Sequence, residues 1–548
     1  MTQEILTLSG LLTAAAQHAP QSDAIVFPDS RINYAGLYAN ARQWGKALTA
    51  LGVQPGDNVA ILMTTQPEFV DVMFGAALIG ACTVPINARY APEELVYLIE
   101  NGDIVTLITT DKVADAVDFV ARLNTAFPDL ATNSDARHLK VSAAPKLANI
   151  VITGSTEPVG FINARKVPEL ASDIDDATLD ALIAHVKPSD LALILYTSGT
   201  TSKPKGCMIK HEAIVSNSRA LGRERYQMTA TDRFWSPLPI FHIAGILPLV
   251  AVMDVMGAYL TIPHFDAGVA LSMLETEGAT LTYPSFVTIM QDLINHPNFS
   301  KTDLSKVRLM NSNLGVQPAA IKEKIMAAMP HTIQVGTFGM TEASGTVCTS
   351  RIDDPEVTRV SRLGVPLDGW ELKIINVETG AECGTDEQGE IYIRGRGMLS
   401  GYYRDPVKTA EAIDAEGWFH TGDIGSLDAD GQIMFHGRTK DMLKVGGENV
   451  AAAEIEGVLN THPAVELAQV VGLPDERYEE VPAAFIKLSA GASLDEAEAI
   501  AHCQGKLARF KIPRVVRFVD DWPMSTSKIQ KFKLRDMLVE ELKSSKAS

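Results

Sequence analysis

The chain has few cysteines for its length. Cys82, Cys207, Cys348, Cys383 and Cys503 are scattered through 548 residues, and no two form a CxxC pair. That spacing offers neither a disulfide framework nor a zinc ribbon, so free thiols in a reducing cytoplasm are the expectation. The twelve histidines form no HExxH or similar ligand cluster. Basic residues are short as well: the formal net charge is −19. Nucleic acid and anionic membrane both demand basic surface and are not expected as partners. An anionic ligand would therefore need a local positive site. The first twenty residues place Glu4, and no basic residue, before their apolar stretch, which argues against a secretory leader. No internal repeat or low-complexity tract is present. The longest apolar run, Ile243 to Pro263, is broken by Asp254, two prolines and two glycines. It reads as a buried helix followed by a strand, and an integral membrane protein is not expected.

What is present is a large globular chain. Hydrophobic residues make up 46% of it, and 548 residues exceed one ordinary core, so at least two domains are expected. LYANARQWGKALTALG reads as a helix with Gly52 just past its end, DNVAILM as a buried strand, QPEFVDVMFGAALIGA as a helix and CTVPIN as a strand. This βαβα rhythm predicts a parallel sheet covered by helices. It recurs at Leu191–Tyr196 and Ala279–Tyr283 (strands) and at Pro318–Met329 (helix). After Gly364 the texture changes to short, glycine-punctuated β runs, GWELKIIN, GEIYIRG and GQIMFHGR, which predict an antiparallel subdomain. Beyond Arg438, helix–strand alternation predicts a small α+β domain. The fold class expected is thus α/β, a large N-terminal domain of helix-flanked sheets plus a small C-terminal domain.

One stretch concentrates polar chemistry. The apolar run LALIL leads into YTSGTTSKPKG (196–206), which gathers hydroxyls, two lysines and two glycines. Backbone N–H groups, hydroxyls and a cation in one small volume are what phosphate binding requires. It is not a Walker A loop, because that motif needs Lys-Ser or Lys-Thr after its second glycine and Gly206 is followed by Cys207. An exposed flexible turn has the same composition, and composition alone does not separate the two.

Six further stretches accompany it in order: PLPIFHIAG (237–245), GTFGMTE (336–342), GEIYIRG (389–395), GWFHTGD (417–423), GRTKDMLKVGGEN (437–449) and STSKIQKFKLR (525–535). Together they resemble the motifs of the adenylate-forming superfamily, which includes acyl-CoA synthetases, luciferases and the adenylation domains of peptide synthetases. The resemblance covers nearly the whole chain and is nearest to the acyl-CoA synthetases. It implies a ligase that uses ATP, Mg²⁺ and coenzyme A on a small-molecule carboxylic acid. The acid is first joined to AMP with release of pyrophosphate, and a thiol then displaces the AMP. It also implies an AMP-binding domain over residues 1–438 and a mobile lid over 439–548, with a hinge near Lys440. A homodimer stays open.

By the same resemblance, Thr197, Ser198, Gly199, Thr200, Thr201 and Lys205 grip the β- and γ-phosphates, and Lys203 faces solvent. Thr341 contacts the α-phosphate and Glu342 holds Mg²⁺, a hard cation suited to carboxylate and phosphate oxygens. Phe338 stacks on adenine where the family usually has tyrosine. Asp423 and Arg438 hold the ribose, since a carboxylate accepts from two neighbouring hydroxyls. Lys528 reaches the forming bond and neutralises both anions, although Ser527 replaces the usual glycine before it. Lys531 and Lys533 are read as a solvated basic face. Lys444, Gly446, Gly447 and Glu448 form the face that meets the thiol, the glycines letting a thin pantetheine arm pass close to the backbone.

His242 is read as a gate at the mouth of the acyl pocket, the plainer alternative being a structural histidine in an apolar setting. Ala244, Gly245, Tyr283, Ser312, Gly336, Thr337 and Met340 complete the candidate pocket. None of these is a lysine or aspartate that would recognise an amino acid's charged α-group, so a hydrophobic or neutral acid is expected: fatty, aromatic or alicyclic. Two departures from the family pattern stand out. Asn311-Ser-Asn-Leu-Gly-Val-Gln317 replaces a small-residue motif, and Ala451-Ala-Ala453 follows GGEN. Loading of a carrier-protein thiol, and a non-catalytic nucleotide or acyl-CoA binding protein, are the alternative functions.

Overall fold

The computed structural model describes residues 4–112, 117–133, 135–197, 203–317, 319–438, 442–445, 448–475, 477–524 and 529–547. Short runs of Ile, Leu and Val are too brief for helices and become central strands once both faces are covered. One sheet has seven strands in the order Ile162–Asn163, Asn149–Thr153, Ile104–Thr110, Asn58–Leu62, Cys82–Pro85, Leu191–Thr197 and Lys205–Lys210. All neighbours are parallel except the last pair, an antiparallel hairpin. Helix Pro67–Leu78 connects two of these strands and is buried along almost all of its length, as its unbroken apolar sequence requires. Helix Tyr34–Ala50 packs beside it and ends before Gly52, whose φ of 92° takes the left-handed conformation that glycine accepts most readily.

A second seven-stranded sheet runs Ile333–Val335, Leu309–Asn311, Leu281–Thr282, Arg233–Trp235, Ala258–Leu260, Asp23–Val26 and Arg31–Asn33. It too is parallel apart from its terminal hairpin. The strand expected at Ala279–Tyr283 is shorter than its apolar run, spanning Leu281–Thr282. The long run from Ile243 is a helix, Ile243–Val255, followed by the strand Ala258–Leu260, as expected. Asp254 is buried near the end of this helix, which is tolerable only because Arg219 pairs with it at 2.8 Å and Arg223 pairs with it as well. No helix of the described residues is long and apolar enough to cross a membrane.

The glycine-punctuated region forms the antiparallel sheet that the alternation predicts: Trp370–Ile375, Gly389–Gly395, Phe419–Leu427 and Ile433–Arg438 in sequence order. A three-stranded antiparallel sheet, Thr337–Met340, Gly345–Thr349 and Val365–Pro366, links it to the parallel layers. The C-terminal part pairs Met442–Val445 with Glu448–Ala451 and Val465–Asp475 with Glu479–Leu488, and flanks them with helices Ala452–Leu459, Glu496–Cys503 and Lys531–Ala547. Its apolar side chains form clusters of their own from Leu443 to Leu538, whereas the large core ends at Ile433. The two parts touch where Gln291 Nε2 donates to the Glu466 carbonyl at 3.0 Å.

Candidate active site

The polar loop is delivered by the buried strand Leu191–Thr197 and received by Lys205–Lys210, with Thr197 and Lys205 directly opposite each other. Ser198, Gly199, Thr200 and Thr201 lie outside the described residues. Lys205 Nζ sits 4.7 Å above the Tyr402 ring, and the Tyr402 hydroxyl donates to Glu342 Oε1 at 3.1 Å. A cation over the ring and a half-buried carboxylate on the hydroxyl, from distant motifs, are therefore joined through one tyrosine. Burial pushes the Tyr402 phenol far above its ordinary value, and the Glu342 charge adds to this, so the hydroxyl remains a donor. Burial, again with Glu342, likewise holds the neighbouring Cys207 as an inert thiol. Lys203 is exposed over the Tyr97 ring at 4.7 Å, in line with its expected place.

Glu342 and Thr341 occupy a tight turn, Thr341–Ala343, after the strand Thr337–Met340. This turn is held by a residue the sequence did not single out. The buried Asn217 amide donates to the carbonyls of Ala343, Ser344 and Thr346 at 3.2, 3.1 and 3.0 Å, and accepts from Trp370 Nε1 at 2.9 Å. A buried amide with this many partners fixes its neighbours because any shift strands a polar group. Among the described residues no group of three or more His, Cys, Asp or Glu is placed to hold a metal. A site built on one carboxylate needs no such group, since Mg²⁺ keeps several waters and takes phosphate oxygens from its nucleotide. The half-buried Glu342, one tyrosine away from the Lys205 ammonium, fits that ion.

Asp423 and Arg438 are partners across the strand pair Phe419–Leu427 and Ile433–Arg438, and Arg438 Nε lies 3.0 Å from Asp423 Oδ1. Asp423 is buried, and Gly422 before it, at φ 69°, is tied by its N–H to Glu390 Oε1 at 2.9 Å. The pair expected to serve one sugar is thus assembled beforehand. Phe338 is buried opposite Cys348.

The candidate acyl residues come from four segments. Tyr283 is buried with its ring edge-on to Phe234 at 6.2 Å, and Met340 closes the strand Thr337–Met340 half-buried. His242 begins helix Ile243–Val255 with its ring 4.8 Å from Phe241, and Ala244 lies in the first turn. Gly245 and Gly336 have packing reasons to be glycine. A Cβ on Gly245 would meet the Pro239 carbonyl at 2.5 Å, and one on Gly336 would meet the Arg362 carbonyl at 2.3 Å. The unusual segment around Ser312 has its own logic. Asn313 takes φ 50°, a left-handed conformation that asparagine tolerates, and Leu314 turns into a core cluster with Met310 and Ile325. The bulk of both residues, read from sequence as a departure, is accounted for by a turn and a packing site.

In the C-terminal part, Lys444 stands opposite Asn449 in the pair Met442–Val445 and Glu448–Ala451. Gly446, Gly447, Lys440 and Lys528 lie outside the described residues. One expectation is corrected. Lys531 is not a solvated cation: its Nζ is 2.6 Å from Glu456 Oε1, with side chains 23% and 12% exposed. Lys533 is exposed as expected. A cavity of about 170 Å³ lies between Phe435 and Arg438 on one side and Met442, Ala453, Glu456 and Lys531 on the other. The alanines after GGEN help leave it open.

The family model described as AMP-binding enzyme matches residues 12–403, and that of the AMP-binding enzyme C-terminal domain matches 454–528. The chain belongs to the AMP-binding enzyme family. Within the adenylate-forming superfamily it stands close to the acyl-CoA synthetases, and it is by class an AMP-forming acid:CoA ligase. This AMP-binding enzyme is 32% identical over 539 residues to a CoA ligase for a methyl-dioxo-octahydroindenyl propanoate from Rhodococcus jostii, covering 98% of this chain and 99% of that one. It is 31% identical over 546 residues to the mitochondrial medium-chain acyl-CoA ligase ACSF2 of Rattus norvegicus, covering 98% and 88%. Its fold matches the crystal structure of the anthranilate CoA ligase AuaEII in complex with anthranoyl-AMP, with a TM-score of 0.83, 26% identity, and 97% and 98% of the two chains covered.

Proposed function

We propose that this enzyme activates a hydrophobic or neutral monocarboxylic acid as its acyl-adenylate and transfers the acyl group to coenzyme A. A carboxylate oxygen attacks the α-phosphorus of ATP, the bond to the bridging oxygen breaks and pyrophosphate leaves. The sulfur of CoA then attacks the acyl carbon, and AMP departs carrying the oxygen that came from the acid. Two anions must meet in the first step, so screening and alignment dominate the catalysis.

The observation that carries this reading is that Lys205, which opens the strand after the threonine-rich stretch, lies over the Tyr402 ring while the Tyr402 hydroxyl bonds Glu342. Lys205 and residues 197–201 would grip the outer phosphates, with Thr341 on the α-phosphate. Glu342 would hold Mg²⁺, which when bound neutralises phosphate charge and polarises phosphoryl oxygens. Asp423 and Arg438 would take the ribose, Phe338 the adenine, and Lys528 the forming bond. Lys444, Gly446, Gly447 and Glu448 would meet the thiol. The uncharged character of Tyr283, Ser312, Thr337 and Met340 supports an acid with an uncharged body, as do the alicyclic, medium-chain and aromatic acids named for the relatives.

We place the division at 438/439, with residues 439–548 turning about Lys440 between the two half-reactions. Lys440→Pro fixes φ at that point. It is expected to abolish one half-reaction while sparing the other, as read from pyrophosphate release and from thioester formation on added acyl-adenylate. Equal loss of both would remove the hinge from the account.

The function is tested by following pyrophosphate, AMP and thioester with ATP, Mg²⁺ and a panel of fatty, aromatic, alicyclic and amino acids, with and without CoA. CoA-dependent AMP release with an uncharged acid is the expected result. Acid-dependent pyrophosphate exchange without a CoA thioester would point instead to a carrier-bound thiol, and silence with every acid to a binding protein.

A further inference from the structure

We propose that Asn311 is a specificity-determining positioning residue for the acid, an inference that rests on the ligase reading above. Asn311 ends the strand Leu309–Asn311 and is fully buried. Its Nδ2 donates to the Tyr226 hydroxyl at 3.0 Å and to Thr337 Oγ1 at 2.6 Å, and its Oδ1 accepts from Ser285 Oγ at 3.1 Å. These bonds give the network a direction. Having accepted from Asn311, the Thr337 hydroxyl donates onward to Thr349 Oγ1 at 3.1 Å, which donates to the Gly336 carbonyl at 2.8 Å. From the far side of Ser312, Asn313 Oδ1 accepts from the Thr337 N–H at 2.6 Å.

Ser312 is thus bracketed by two asparagines that both grip Thr337. The two strands involved belong to different sheets, yet backbone bonds bring them close: Asn311 stands opposite Val335 in the parallel pair, and the Asn313 N–H donates to the Val335 carbonyl at 3.2 Å, two residues before Thr337. The side-chain amides extend this hold past the end of the ladder to Thr337 itself, and so fix how its hydroxyl and N–H sit relative to Ser312, two walls of the candidate acyl pocket. No side chain of this network carries a charge, both amide protons of Asn311 are engaged, and the nearby Arg225 guanidinium already donates to the carbonyls of Thr349, Val365 and Pro366. A second carboxylate on the acid would be buried there without a partner, which is strongly unfavourable. The network therefore selects for acids whose body is uncharged and whose width matches a fixed gap.

The test is steady-state kinetics of the full-length enzyme and of Asn311→Ala and Tyr226→Phe, against ATP and a graded series of straight-chain monocarboxylic acids. With its buried hydrogen bonds removed, Asn311→Ala is expected to raise KM for the preferred acid about tenfold and to flatten the preference between neighbouring chain lengths. KM for ATP is expected to change much less than KM for the acid, because Lys205, Asp423 and Arg438 lie on other segments and only Phe338 and Thr341 follow Thr337 along the chain. Tyr226→Phe, which deletes one acceptor and keeps the ring, gives the same split at smaller size, and it decides alone if Asn311→Ala does not fold. A parallel rise in both KM values, or an unchanged chain-length profile with only a lower Tm, would overturn the assignment and leave Asn311 a structural residue. A wild type that activates no acid would defeat the ligase reading itself, an outcome visible before any variant is compared.

Discussion

Replacing Lys528 with alanine is expected to slow acid-dependent pyrophosphate release by about 10²–10³, roughly 3–4 kcal/mol of lost transition-state stabilisation. The first half-reaction drives a carboxylate into a triphosphate, and charge accumulates at the α-phosphorus as the bond forms. A preorganised ammonium favours that state over the separated anions, so its loss appears in kcat more than in the KM for ATP. Thioester formation from added acyl-adenylate has no such encounter and should keep its rate. Rapid-quench measurement of the two half-reactions separates them. An unchanged rate of pyrophosphate release in the variant would remove Lys528 from the mechanism.

Glu342→Gln is expected to lower pyrophosphate release by about 10² or more, with part of the loss recovered at high Mg²⁺ concentration. The amide keeps the shape of the side chain, and its oxygen can still accept from the Tyr402 hydroxyl, which now bonds Glu342 at 3.1 Å. What disappears is the charge. Tyr402→Phe is the matching control: it deletes the hydrogen bond and leaves both the carboxylate and the ring beneath Lys205. A titration of activity against Mg²⁺ for the two variants distinguishes them. If Glu342→Gln shows the Mg²⁺ dependence of the wild type, the carboxylate is structural.

The architecture was legible wherever a local pattern specifies it. Alternation in GEIYIRG and WELKII marks half-buried strands, and an interrupted apolar run marks the helix Ile243–Val255 with its following strand. Asp423 and Arg438 were legible as separate motifs, and the antiparallel pair then placed them face to face. Contacts between residues far apart were not legible. Tyr402 meets Glu342 across 60 residues, Asn217 reaches Ala343 across 126, and Lys531 finds Glu456 across 75. A lysine in a run of lysines looks solvated until its acid is known. The strand Lys205–Lys210 was missed for a similar reason: its mixed sequence becomes a strand only by pairing with Leu191–Thr197. The asparagines at 311 and 313 read as departures from a small-residue motif, because neither the left-handed turn nor the cross-sheet bonds they serve have a sequence signature.

Isotope transfer tests the central chemistry most directly. The acid panel identifies a substrate, and that acid is then supplied with ¹⁸O in its carboxylate, together with ATP, Mg²⁺ and CoA. Attack of the carboxylate on the α-phosphorus, followed by displacement by the thiol, predicts one labelled oxygen in the phosphate of AMP. Label in inorganic phosphate or pyrophosphate, with none in AMP, would contradict an acyl-adenylate intermediate and with it the catalytic roles of Thr341, Glu342 and Lys528.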